Sequence, residues 1–484
     1  MTDPEQTMPN TFTPTIPVLD AVLALAFVGD LSMGQPTDHS PRTASLAARL
    51  AAAAGGNEAD CAAAYCVALL RWSGCTANAA GFEQLFGDDV GGRHAMLAAP
   101  QPGFSPETQR EIQPLAQIHC EVSGDIAAML KLPATVEAGL RNIFETYNGK
   151  GEPGLLQHPH IPPVVYHVAL AGDLEIFSRV HGIDAALDYI ERRSQVKYPA
   201  ELVALVQRHA REWLALPEDG QALAPASQEQ IALTLVADVI ELKLPWLAGY
   251  ARQVAQLAQA AAALQGMPQA QQEQLYGAAL MHGIGRVALP NKLWNQAAPL
   301  KQSDWEQIRL APYWTSRAAQ RVQSLTPEMT LASHAYERTD GSGYFRSLGQ
   351  DNITSQQGTL AAAIACVALR SARPWRAAFP AGEADATLRR QAAEGKFDPA
   401  AVEAVLAAAN SEALPVQARP AGLLSERETD VLRRISLGES NKEAARSLEL
   451  SPSTVRTHVE NIFRKLECST RAAATLKALT LGLI

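Results

Sequence analysis

The clearest hydrophobic pattern lies near the C-terminus. Val455, Val459, Ile462 and Leu466 recur at i, i+4, i+7 and i+11, which predicts a helix with one buried stripe. Its opposite face is polar, with Thr454 near the start, then Arg456, Thr457, Glu460 and Arg464, flanked by His458, Asn461 and Lys465. The punctuation around this helix is equally legible. Ser451 is placed to cap it, with Pro452 at the first position, where a missing N–H costs nothing. Ser425 with Glu428, and Ser440 with Glu443, make two capping boxes, and Gly438 closes the helix between them. Ser469 is the expected cap of a fourth helix. Capped helices joined by a tight turn form a helix-turn-helix arrangement, so residues 423–484 read as four short helices presenting a polar face to double-stranded DNA. On that face an arginine can grip guanine O6 and N7, a threonine can touch a base edge or a thymine methyl, and the Glu460 carboxylate can accept from cytosine N4. His458, Asn461 and Lys465 fall where phosphate contacts would lie.

Upstream, the apolar spacing is helical almost throughout, with few alternating runs, which predicts an all-α chain. Residues 1–15 read as a loose polar tail. Residues 16–214 form one helical block and 228–410 a second, separated by the linker "ALPEDGQALAPAS" (215–227). A Pro-containing spacer (411–422) leads into the last domain. The two blocks repeat each other in order. "ALLRWSGC" answers "ALMHGIGR", "ETYNGKGEPGLL" answers "ERTDGSGYFRSL", and "VKYPAELVALV" answers "GKFDPAAVEAVL". Two copies of one helical unit is the economical reading.

Composition changes this picture in three places. The formal net charge of −9 would by itself argue against nucleic acid. Residues 423–484, however, hold ten Lys/Arg and eight Asp/Glu, a balance of +2 that leaves −11 for the rest, so polyanion binding belongs to the last domain. Six cysteines without a CxxC or zinc spacing read as buried thiols. No signal segment and no long apolar run are present, which places the chain away from membranes and in the cytoplasm as an expectation.

The run "LSERETDVLRRISLGESNKEAARSLELSPSTVRTHVENIFRKL" resembles the LuxR-type helix-turn-helix of bacterial transcription regulators. The resemblance implies that Arg456, Thr457 and Glu460 enter the major groove and that Lys442 sits by phosphate. It also implies a homodimer joined through the fourth helix. The second block resembles HD-GYP phosphohydrolases, through "ALMHGIGRVALPNKLW", "DGSGYFRSL", "ALRSARPWR" and "GKFDPAAVEAVL". Those are helical domains that bind two or three metal ions and cleave phosphodiesters, including cyclic dinucleotides. Matched position by position, however, the ligands are replaced. The His-Asp pair falls on His282-Gly283 and the upstream histidine on Tyr250. The next ligand falls on Ala311, the paired histidines on Ala335-Tyr336, with His334 one residue early, and the late aspartate on Ile364. Arg286, Asp340 and Arg373 remain as candidates to line a polar pocket. In the first, more diverged copy, His39, His119 and Asp173 match ligand positions, while the central pair becomes Arg71-Trp72 and the paired histidines Ile143-Phe144.

The expected function is therefore a DNA-binding transcription regulator whose two HD-like domains form a non-catalytic sensory and dimerising platform. No catalytic residue, metal or other cofactor is assigned under this reading, and an emptied site that keeps its concavity can take up a nucleotide or other small metabolite as effector. The alternative is a metal-dependent phosphohydrolase coupled to DNA binding. It would need a divalent ion held by His39, His119 and Asp173, or by an unusual site around His282.

Overall fold

The computed structural model describes residues 14–99, 105–216, 229–411 and 422–484. The expected tail and both expected linkers lie almost wholly outside those residues. The described chain is helical, as its spacing implied, with one departure. β1 (Thr15–Pro17) pairs antiparallel with β2 (Gln230–Ala232), so Thr15, read as tail, faces Ala232 across a short ladder. This ladder sets the start of the second block against the start of the first.

The repeat read in the sequence is a repeat in space. In the first block the helix Glu58–Leu70 runs into a tight 3-10 turn at Ser73–Cys75; in the second, Gln269–Met281 runs into Ile284–Ala288. Each turn passes close under another segment. A Cβ on Gly74 would strike the carbonyl of His119, and one on Gly285 would strike the carbonyl of Ala311. Only glycine fits that approach, which explains its matched place in both copies. Farther on, the Tyr147 N–H donates to the Lys197 carbonyl and the Thr339 N–H to the Lys396 carbonyl, each at 3.2 Å. The same loop is thus pinned to the same segment twice.

One continuous apolar core runs through both blocks, and the C-terminal helices build a smaller core of their own around Val431, Leu432, Ile435, Val455, Ile462 and Leu466. The helix Arg471–Thr480 belongs to both. Its Ala473 and Leu476 join the large core, while Ala474 and Ala478 join the small one. Polar bonds reinforce the contact with the long helix Pro106–Met129. Ser469 donates through its N–H (2.5 Å) and its hydroxyl (3.0 Å) to Glu121, and Lys477 lies 3.3 Å from Asp125. The expected fourth-helix cap is corrected here: Thr470 caps, accepting from the Ala473 N–H at 3.2 Å, and Ser469 is spent on Glu121.

The two blocks are also riveted by charge. Asp89, fully buried at the start of the helix Asp89–Ala98, pairs with the buried Lys243 and accepts from the Asn291 N–H at 2.7 Å. Removing one partner of a buried pair strands the other charge, so Asp89→Ala should cost about 3–5 kcal/mol in chemical denaturation. A double change, Asp89→Leu with Lys243→Met, should recover most of that loss. If the single variant matches the parent, the pair does not join the blocks.

Candidate nucleic-acid interface and two histidine centres

The polar face of the helix Pro452–Leu466 stands free, as its spacing required. Ser451 caps it through the Thr454 N–H at 3.0 Å, and Val455, Val459, Ile462 and Leu466 point into the small core. Thr454, Arg456, Thr457, Glu460, Arg464 and Lys465 are exposed, and His458 and Asn461 are half-buried at the edges. Lys442 is exposed at the start of the preceding helix, Asn441–Ser447, whose capping box by Ser440 and Glu443 is formed. Three of the basic side chains already hold partners. Arg456 pairs with Glu460 one turn on (2.9 Å), Arg464 donates to Asn461 (3.0 Å), and Lys465 reaches back to Glu428 (2.7 Å). Arg456 keeps 76% of its side-chain surface, so its exposed pair with Glu460 is weak and exchangeable for a base edge. A groove of about 570 Å³ separates this domain from the helical blocks, with Arg456 and Glu460 on one wall and Pro114 and Gln117 on the other.

In the second block the substituted positions meet one another. Tyr250 donates its hydroxyl to the Ile364 carbonyl at 3.0 Å, so two replaced ligand positions are in contact. His282 is buried, with Nδ1 at 2.5 Å from the Ala279 carbonyl and Nε2 at 2.9 Å from Arg286 Nη2. A guanidinium only donates, so Nε2 must be the acceptor and Nδ1 carries the proton. Burial, together with the Arg286 charge, pushes the imidazole down to about 3. Arg286 also donates to the Tyr336 hydroxyl, and its guanidinium lies 5.6 Å from the Tyr250 ring centroid, with Arg373 on the same ring at 4.8 Å. Arg286 and Arg373 thus converge on Tyr250. Asp340 does not join them: it is exposed and turns back on its own loop, accepting from the Ser342 N–H (2.9 Å) and hydroxyl (2.6 Å). His334 is tied to the Thr330 carbonyl at 2.8 Å.

The first block reaches the same arrangement by another route. Arg71, which stands where His282 stands in the second copy, extends its guanidinium to Nε2 of His39. His39 Nδ1 then donates to Glu175 at 2.5 Å, and burial with the Arg71 charge holds the ring down at about 4. Gly172 leaves the room this needs, since a Cβ there would overlap Arg71 Nη1. Burial alone would raise the Glu175 carboxyl, but hydrogen bonds from His39 and Arg179 hold it down at about 2. The other two candidates are engaged elsewhere. His119 Nε2 lies 2.8 Å from the Arg71 carbonyl, and Asp173 is held by Lys197 (2.6 Å) and by the Tyr198 hydroxyl.

A divalent ion needs several anionic or imidazole donors converging with free lone pairs. Among the described residues no group of three or more His, Cys, Asp or Glu is placed to hold one. In each copy a histidine nitrogen that a metal would require accepts instead from a fixed positive charge. The residues present do not fit a metal centre of the HD type. Sequence reasoning did not single out Glu175, which orients His39, or Glu241, whose carboxyl burial raises to about 8 while it accepts from the Ala251 N–H at 2.6 Å. The one local signal for Glu175 was its Arg179 one turn later.

The neutral His282 has a consequence for stability. Its folded pKa lies below the unfolded value of 6.5, so the unfolded chain binds the proton first as pH falls. Its contribution is full above about 6.5 and is lost as pH drops towards about 3. The stability of the parent over His282→Gln should therefore shrink by up to about 1.4 kcal/mol per pH unit below that point. A difference independent of pH between 7 and 4 would mean that folding leaves the ring's proton affinity unchanged, against a His282 held neutral by burial.

Residues 234–401 match the model of the HD domain, and residues 422–478 match that of bacterial regulatory proteins of the luxR family. The chain is 25% identical over 416 residues to the 3'3'-cGAMP-specific phosphodiesterase 3 of Vibrio cholerae, covering 76% of this chain and 90% of that one. The crystal structure of a cyclic GMP-AMP-specific phosphodiesterase from Vibrio cholerae shares the fold, with a TM-score of 0.59 at 23% identity over 82% of this chain and 98% of that one. The C-terminal part is 46% identical over 57 residues to the nitrate/nitrite response regulator NarP of Escherichia coli, 12% of this chain and only 26% of the length of NarP. No helix among the described residues is long and apolar enough to cross a membrane. The chain thus carries an HD domain related to those phosphodiesterases, joined to a C-terminal helix-turn-helix DNA-binding domain of the luxR family.

Proposed function

We propose that this chain is a cytoplasmic DNA-binding transcription regulator whose paired HD-like blocks sense rather than cleave. The observation that carries the reading is the guanidinium lodged on a metal-facing histidine nitrogen in both copies, Arg71 on His39 and Arg286 on His282. Without a bound divalent ion the family's route to a low-pKa water and to a polarised phosphoryl group is missing. The concave remains of the sites are then free to take an effector. The reading extends to the recognition surface: Arg456, Thr457 and Glu460 address base edges, while Lys442, His458, Asn461 and Lys465 address phosphate.

Regulation follows from the docked fourth helix. Arg471–Thr480, the expected homodimer contact, is covered by the helix Pro106–Met129 and by the second block, with Leu479 facing Gly249. Dimerisation on paired half-sites would require that helix to leave its berth, and an effector that favours the undocked state would drive it. The phosphodiesterase reading retains one observation in its favour, the Vibrio cholerae relative that matches across most of both chains.

DNA titration of the full-length chain tests the regulator. Arg456→Ala and Thr457→Ala should each cost about 1–3 kcal/mol and relax site preference. Lys442→Ala should weaken every sequence alike and flatten the salt slope by about one unit. Asp125→Ala with Glu121→Ala, which loosens the berth, should tighten binding. Affinity unmoved by any of these would remove the assigned DNA face.

A further inference from the structure

A cavity of about 280 Å³ opens in the first block beside Arg71 and Trp72. Phe82 and a cluster of three further rings line it: His119 lies 4.8 Å from Phe144, and Trp72 stands 6.2 and 6.3 Å from those two. Its walls also hold polar atoms with no protein partner, namely Trp72 Nε1, Arg71 Nε, Arg93 Nε, Glu145 Oε2 and Glu152 Oε2. Trp72, Arg71 and Glu145 are 8%, 4% and 2% exposed. Each such orphan costs about 1–3 kcal/mol, more when charged, and folded proteins keep few of them. Five around one cavity mark a surface shaped for something else to complete.

The second copy supplies an internal control. Glu337, which opens the matching repeat segment, spends both oxygens on its loop: Oε1 accepts from the Arg346 N–H at 3.1 Å and Oε2 from the Leu348 N–H at 3.0 Å. Glu145 makes the same kind of tie with Oε1 alone, to the N–H groups of Leu155 (2.8 Å) and Leu156 (3.3 Å). Its Oε2 is therefore surplus to the fold and available to a ligand.

The complement of this wall is a flat ring stacked among aromatics, with hydrogen-bond donors on one edge and acceptors on another. Guanine fits: its O6 and N7 accept from arginine-type donors, and its N1–H and amino group suit a carboxylate. Adenine lacks the paired donor edge. The volume is near the lower limit for small-molecule sites, with room for one base or nucleoside and not for a dinucleotide. Glu145, Glu152 and Asp173 face Arg71, Arg93 and Lys197 in the wall, so its charges balance and it is not the cationic cradle a phosphate group selects. We propose that the cavity lined by Trp72, Phe144 and Glu145 is a binding site for a guanine-class base or nucleoside. It would be the effector site of the sensory platform, and in that role alone it rests on the regulator reading.

Isothermal titration of the full-length chain with guanosine and adenosine, without DNA, tests it. Guanosine should bind once per chain and adenosine about tenfold more weakly or less. Glu145→Gln keeps an oxygen for the loop but loses the charged acceptor, and should weaken guanosine about tenfold to a hundredfold. Should that variant fail to fold, Glu152→Gln at the more open end should show the same direction. No guanosine binding at millimolar concentration, or affinity unchanged in the variants, overturns the site. Loss of DNA regulation with guanosine binding intact would instead sink only the regulator reading.

Discussion

A guanidinium pressed on an imidazole nitrogen is the contact that both helical blocks are built around. Arginine cannot give up its charge in a protein and has no lone pair to offer, so the histidine beside it must stay neutral and must accept. That consumes the lone pair a metal would bind. The two copies reach this state from opposite ends. In the first, arginine replaces the histidine of the central pair and reaches the upstream histidine; in the second, the central histidine remains and Arg286 comes from one turn later. Cys75 stands in the first copy where Arg286 stands in the second, so the two copies supply the cation from different positions of the repeat.

The rest of the architecture keeps these centres dry and joins them to the DNA-binding domain. The β1–β2 ladder, the Asp89–Lys243 pair and a shared apolar core make the two blocks one packed body. The C-terminal helix is built into both that body and the helix-turn-helix, through Leu476 on one side and Ala478 on the other. A change of shape in the blocks therefore has a direct mechanical route to the recognition helix, which begins across a groove from Pro114.

Much of this was legible before any coordinates. The C-terminal domain was readable because its signals are local: caps three residues apart, a stripe at helical spacing, a proline at the first turn. The order of repeated segments exposed the tandem, and position matching pointed to Tyr250 and Ile364, which prove to touch. What remained hidden was long-range. That Arg71 reaches His39 depends on Gly172 leaving space a hundred residues on, and no pattern around Arg71 announces it. Ser469 was read as a cap because local rules favour it, but tertiary contact with Glu121 claimed it and left Thr470 to cap. Asp340, grouped with Arg286 and Arg373 by motif, proved to serve its own loop.

Arginine in the place of metal in both copies can be checked by elemental mass spectrometry of the purified full-length chain. After exposure to manganese, iron and zinc and removal of free ions, the account predicts no stoichiometric metal in the parent protein. One tightly held ion per chain, lost in His282→Ala or His39→Ala, would contradict it and return the phosphodiesterase reading to first place.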